Sequence, residues 1–189
     1  MEGNENSERA TPVSDLDNRK DLPLHDASGK SRLIESMQRR YAGVESIVFV
    51  PEPVHEWEGI KDREGRNMLE KFYSNKARYG FAFQMMAYIS RISLLRKALH
   101  SGADTVVTER SVFTDSHVFA RMLYDSGALE EVEYQIYMRW FDEFSSEIPG
   151  ADVIYVRTSP ETCAERAETR VRAGESVPIA YLRDVHARH

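Results

Sequence analysis

The sequence has 189 residues, enough for one domain with a sizeable core, and its 41% hydrophobic and 30% charged residues are the balance of a globular chain. A formal net charge of -6 argues against a nucleic-acid backbone binder, which needs lysine and arginine in excess. The single cysteine, Cys163, excludes an internal disulfide and a cysteine-based zinc site, no apolar run reaches the roughly 18 residues of a membrane span, and a reducing, cytoplasmic setting is expected.

Residues 1–26 carry seven acidic and three basic side chains and few apolar ones, so disorder is expected there. They show neither the apolar core of a signal peptide nor the acid-poor composition of a transit peptide. From Ala27 onward, short β-branched runs alternate with helix-period segments, which predicts an α/β fold with a parallel sheet. A first helix begins at Lys30 and sets Leu33, Ile34, Met37 and Tyr41 on one stripe. Strands are expected at 46–50, 104–108 and 152–156, each a compact apolar run suited to burial on both faces. A long helix is expected at 78–100 with Phe83, Met86, Ile89, Ile92 and Leu95 inward, and others at 115–125, 130–147 and 160–172.

Ligands in open parallel sheets sit beyond the carboxyl ends of the strands, so charges placed there are read first. Glu52 follows the first strand, Glu109 and Arg110 the second, and Arg157 the third. Ser28, Gly29, Lys30 and Ser31 open the first helix as the second half of a phosphate-binding loop. Glycine lets the backbone approach phosphate, lysine reaches the transferred phosphoryl group, and serine can hold magnesium at the helix N-terminus. The full pattern has glycine where this chain has Leu24. His186 and His189 stand at helical spacing, but two histidines with no third ligand read as a stray pair.

Taken in order, Gly29-Lys30-Ser31, the run from Glu52 to Trp57, residues 67–91 (NMLEKFYSNKARYGFAFQMMAYISR), the run from Glu109 to Asp115, and residues 119–144 resemble the deoxyribonucleoside kinase family, with a viral or bacterial flavour. The resemblance spans about Ala27 to His189 and implies a three-layer P-loop kinase fold, a parallel sheet flanked by helices, with first and last strands missing or degenerate. Residues 1–26 then stand as a disordered or interrupting segment before a kinase-like domain at 27–189 that is short at its C-terminus.

The activity implied is ATP-dependent 5'-phosphorylation of a deoxyribonucleoside in nucleotide salvage, with Mg2+, in a homodimer packed through long helices, with neither nucleic acid nor membrane as partner. By resemblance, Glu52 is the base that takes the 5'-hydroxyl proton, Arg110 holds the 5'-oxygen, and Glu109 lies near magnesium together with Ser31. Trp57, Phe83 and Phe113 wall the base pocket, with Leu69 as a further substrate contact, and Gln84 reads a base edge. Tyr73 and Glu175 bind the 3'-hydroxyl, and Arg166, Arg170 and Arg172 form a lid over the phosphates. Arg91 and Asp115 mark the branch acting on deoxycytidine and purine deoxynucleosides. The competing reading is a catalytically impaired relative or fragment acting, if at all, through dimerisation.

Overall fold

The structure is a computed structural model that describes residues 27–169 and 178–189. Expectations for residues 1–26, and for the helix expected at 160–172 beyond residue 169, lie outside the described residues. Two runs of β-branched residues carry the sheet: β1 (Ile47–Val50) and β2 (Thr105–Thr108) pair in parallel, Ile47 opposite Thr105 and Val50 opposite Thr108. Backbone bonds from Thr105 N to Ser46 O and from Glu109 N to Val50 O, both 3.0 Å, extend the pairing at each end and match the strands expected at 46–50 and 104–108. Parallel strands need a long crossover, here α2 (Val54–Gly59), α3 (Met68–Ser74) and α4 (Lys76–Leu99).

The run at 152–156 is not the third strand that its composition suggests. It is irregular, with Val153 and Ile154 82% and 71% exposed, and among the described residues the sheet has two strands. Apolar composition makes a strand only where a neighbour completes the hydrogen-bond ladder, and no described segment pairs with this run.

Helix α1 (Lys30–Arg40) starts where expected, but only Ile34 of its stripe is buried, while Leu33 and Tyr41 are exposed. The starts of α3 and α4 are set by asparagines. Asn67 and Glu70 form a reciprocal capping box, and the Asn75 side chain accepts from Arg78 N at 2.9 Å. Helix α4 packs on β1, β2, α2, α3 and α7 (Glu131–Ser145), which is why its buried residues occupy more than one stripe. Phe83 and Ala87 meet α2 and α3, Tyr88 and Ile92 meet α7, and Ile89, expected inward, lies on the remaining exposed side.

The helix expected at 115–125 begins earlier and is not uniformly α-helical. It comprises α5 (Val112–Thr114), a π-helical turn at Asp115–Ala120 and α6 (Arg121–Asp125). After α7 come α8 (Pro160–Thr169) and α9 (Ile179–Arg188), the latter unforeseen, which buries Leu182 against α8 and Val185 against the π turn. Among the described residues, no helix is long and apolar enough to cross a membrane.

Gly80 is a point of close approach between α4 and the loop at Ala128. A Cβ there would stand 3.0 Å from the Ala128 carbonyl oxygen. The Ala128 loop has little room to retreat, because Ala128 N and Leu129 N both donate to Leu123 O, at 2.8 and 3.0 Å, and Leu129 is buried. Gly80→Ala is therefore expected to destabilise the fold by about 1–3 kcal/mol despite alanine's better helix propensity, read as a lower urea midpoint at unchanged m-value.

Candidate active site

Parallel pairing sets the carboxyl ends of β1 and β2 side by side, so the residues following each strand meet. Glu52 is two residues beyond Val50, and Glu109 and Arg110 follow Thr108 directly. Arg91, from the middle of α4, binds them together. Its Nη2 donates to Glu52 Oε1 at 2.9 Å, its Nη1 to the Glu109 backbone oxygen at 3.0 Å, and its Nε to Asp115 Oδ2 at 2.5 Å. Arg110 Nη1 donates to the same Glu52 oxygen at 3.3 Å. All four side chains are at most 7% exposed. Two guanidinium groups thus meet two carboxylates in a buried set, an arrangement in which removal of one member is costly.

Burial works against the charge on Arg91, yet Asp115 and Glu52 beside it raise the guanidinium above the usual arginine range. Burial also pushes the Asp115 carboxyl up, with the attraction of Arg91 pulling against it. Arg110 has φ 65°, a left-handed conformation that costs a residue with a Cβ roughly 1–2 kcal/mol. In this position its guanidinium lies 4.8 Å from the centre of the Phe119 ring as well as against Glu52. The π turn runs through both Asp115, against Arg91, and Phe119, beneath Arg110. Such widened turns concentrate at functional sites.

The residues read from the sequence as half of a phosphate-binding loop stand at the entry to α1. Gly29 caps it at φ 102°, where a side chain would be strained. Lys30 Nζ donates to Ser28 Oγ at 2.8 Å, and Ser31 Oγ donates to Glu109 Oε1 at 2.7 Å, joining two residues 78 positions apart that the sequence reading assigned to one metal site. From α8, Arg166 Nη1 donates to the carbonyl oxygens of Ser28 and Ala27 at 3.3 and 3.5 Å, and Thr158 Oγ1 donates to Ser28 O at 2.9 Å. Arg166 is thereby held at the loop, whereas Arg170, Arg172 and Glu175 lie outside the described residues.

Trp57, Leu69 and Phe83 are buried together with Phe72. The Trp57 ring meets Phe83 edge-on at 5.6 Å, and Phe72 stacks on Phe83 at 4.3 Å. Gln84 Nε2 donates to the Asp115 backbone oxygen at 3.3 Å, so a buried amide is tied to the residue whose side chain meets Arg91. Tyr73 is 41% exposed at the edge of this group, its ring 5.3 Å from that of Phe72. Phe113 does not join it: it is 45% exposed and packs edge-on against Phe141 at 5.7 Å, because helix phase turns Val112, not its neighbour, into the core. Sequence reading missed Phe119 and Ser90 as members of this region. The available signals were Phe119 at one helical turn from Asp115, and Ser90 adjacent to Arg91.

A carboxylate held by two guanidinium groups, a helix N-terminus with a lysine and an arginine at its loop, and an apolar wall with a polar edge form a neighbourhood suited to a phosphorylated donor and a flat, partly polar acceptor. The comparisons agree with that chemistry. The family model described as deoxynucleoside kinase matches residues 26–189. Deoxycytidine kinase 2 of Gallus gallus is 34% identical over 185 residues, covering 86% of this chain and 69% of that protein. A probable deoxycytidine kinase of Fowlpox virus is 34% identical over 167 residues, with 86% and 66% covered. The mitochondrial thymidine kinase 2 of Macaca fascicularis is 31% identical over 166 residues, with 86% and 59% covered. The chain thus spans about two thirds of the length of these relatives or less.

Proposed function

The chain belongs to the deoxynucleoside kinase family, and on that premise we propose that it transfers the γ-phosphoryl group of ATP to the 5'-hydroxyl of a deoxyribonucleoside. The observation that carries this reading is the Glu52 carboxylate, held by Arg91 and Arg110 at the carboxyl end of the sheet, where the phosphate loop also converges. Glu52 accepts the 5'-hydroxyl proton as that oxygen attacks the γ-phosphorus, the bond to the β-γ bridging oxygen breaks, and ADP departs. Phosphoryl transfer asks for positioning and charge stabilisation more than for covalent chemistry, which suits a base fixed by two cations. Arg110 steadies the attacking oxygen, while Lys30 and Arg166 balance charge on the phosphates. Ser31 and Glu109 are hard oxygen donors already drawn together, and they fit a magnesium ion arriving with ATP, which when bound would neutralise charge on the β- and γ-phosphates.

The base is read by Gln84, Arg91 and Asp115. A buried charged pair must be matched by its ligand, and an exocyclic amino group can donate to Asp115 where thymine offers only a carbonyl. The reading is therefore deoxycytidine or a purine deoxynucleoside ahead of thymidine, serving nucleotide salvage. A homodimer is part of the proposal, supported by the exposed stripe Val132, Ile136 and Trp140 on α7. ADP release measured with each of four deoxynucleosides tests the reading: turnover with deoxycytidine, deoxyadenosine or deoxyguanosine exceeding that with thymidine is expected. Preference for thymidine would sink the assignment of the base edge.

A further inference from the structure

Trp57 is 1% exposed, and its indole nitrogen donates to Ser90 Oγ at 2.9 Å. The Ser90 hydroxyl proton has its own acceptors within α4, Met86 O at 2.7 Å and Ala87 O at 3.1 Å, which leaves an oxygen lone pair directed to the indole. This side-chain hydrogen bond ties α2 to α4, and it lies next in sequence to Arg91, whose own bond to Glu52 anchors the entry to α2. Consecutive residues of α4 therefore grip both ends of a short segment: Arg91 holds Glu52, and Ser90 holds Trp57, five residues on. Trp57 in turn meets Phe83 edge-on, and Phe83 neighbours Gln84, which borders Asp115.

We propose that Ser90 is a positioning residue for base selection: by fixing the Trp57 indole against α4, it sets the apolar wall of the nucleobase site, and so the relative use of pyrimidine and purine deoxynucleosides. The inference rests on the proposed kinase reading. It has a physical basis in the cost of a buried donor without an acceptor. An indole N–H deprived of Ser90 must turn or shift to find another partner, and either movement displaces a ring wedged edge-on against Phe83. Ser90 itself contacts no reacting group, so the effect should fall on recognition of the base rather than on the chemical step.

The test compares the wild-type chain with Ser90→Ala and Ser90→Thr, the latter retaining the hydroxyl. For each, kcat and KM are measured with deoxycytidine and deoxyguanosine, and Trp57 emission is recorded in a Trp140→Phe background. Ser90→Ala is expected to change the ratio of the two kcat/KM values about fivefold or more, through KM, with kcat altered less than about twofold. Its Trp57 emission should shift as the indole loses its acceptor, and Ser90→Thr should restore both readouts. An unchanged ratio in a folded Ser90→Ala protein would overturn the inference while leaving the kinase reading intact, as would an equal loss of kcat on both substrates. If Ser90→Ala does not fold, Ser90→Thr and Ser90→Cys decide. The inference requires the first to keep the wild-type ratio and the second, a weaker acceptor, to move it, and the reverse order overturns it. A wild-type chain that turns over neither nucleoside overturns the kinase reading itself, and this inference with it.

Discussion

Glu52→Gln is expected to lower kcat by about a hundred- to ten-thousandfold, the usual worth of a positioned general base, while the KM for nucleoside moves little. The amide keeps the shape of the carboxyl group, and its oxygen can still accept from Arg91 or Arg110, so the local hydrogen bonds survive in reduced form. What it loses is the capacity to take a proton. Glutamine is the informative substitution because alanine would also remove the oxygen to which the two buried guanidinium groups donate, and would confound activity with folding far more. A urea titration of Glu52→Gln alongside its steady-state kinetics separates the two effects. A variant with wild-type kcat would remove Glu52 from the chemistry.

Arg91→Met should be among the most destabilising single changes, costing about 3–5 kcal/mol, because the buried Asp115 and Glu52 carboxylates both lose the guanidinium that donates to them. Adding Asp115→Ala removes the stranded carboxylate and should recover part of that loss, so the pair is strongly non-additive in a double-mutant cycle. The same double variant replaces a charged base edge with an apolar one. Its kcat/KM ratio is expected to move toward thymidine by about tenfold or more, or roughly 1.4 kcal/mol per decade. An additive cycle would contradict the description of the four side chains as one network. An unchanged thymidine ratio would contradict the role given to Arg91 and Asp115 in reading the base.

The features legible in the sequence were those fixed by local pattern. The β-branched runs ending at Val50 and Thr108 announced β1 and β2, and the charges just beyond them announced Glu52, Glu109 and Arg110 as neighbours. Gly29 before Lys30 announced the entry to α1, and the structure places it at the positive φ that glycine tolerates. Features that depend on what lies opposite were not legible. Residues 152–156 have a strand's composition but no ladder partner among the described residues, and nothing within the run could reveal that. Helix phase decides between adjacent residues, so Val112 rather than Phe113 faces the core, and a π turn within an apolar helical stretch leaves no trace in periodicity. Arg91 and Asp115 were singled out, but their burial with Glu52 is a tertiary fact. A surface ion pair between two helices has the same residue types at the same spacing.

The central claim is transfer of phosphoryl from ATP to a nucleoside 5'-oxygen, and identifying both products of one reaction tests it most directly. The wild-type protein, ATP, magnesium and deoxycytidine are mixed, and ADP and the nucleotide product are quantified together by mass spectrometry. The account predicts deoxycytidine 5'-monophosphate and ADP in equal amounts, both suppressed in parallel by Glu52→Gln. ADP without a phosphorylated nucleoside, or no ADP with any of the four deoxynucleosides, would contradict it.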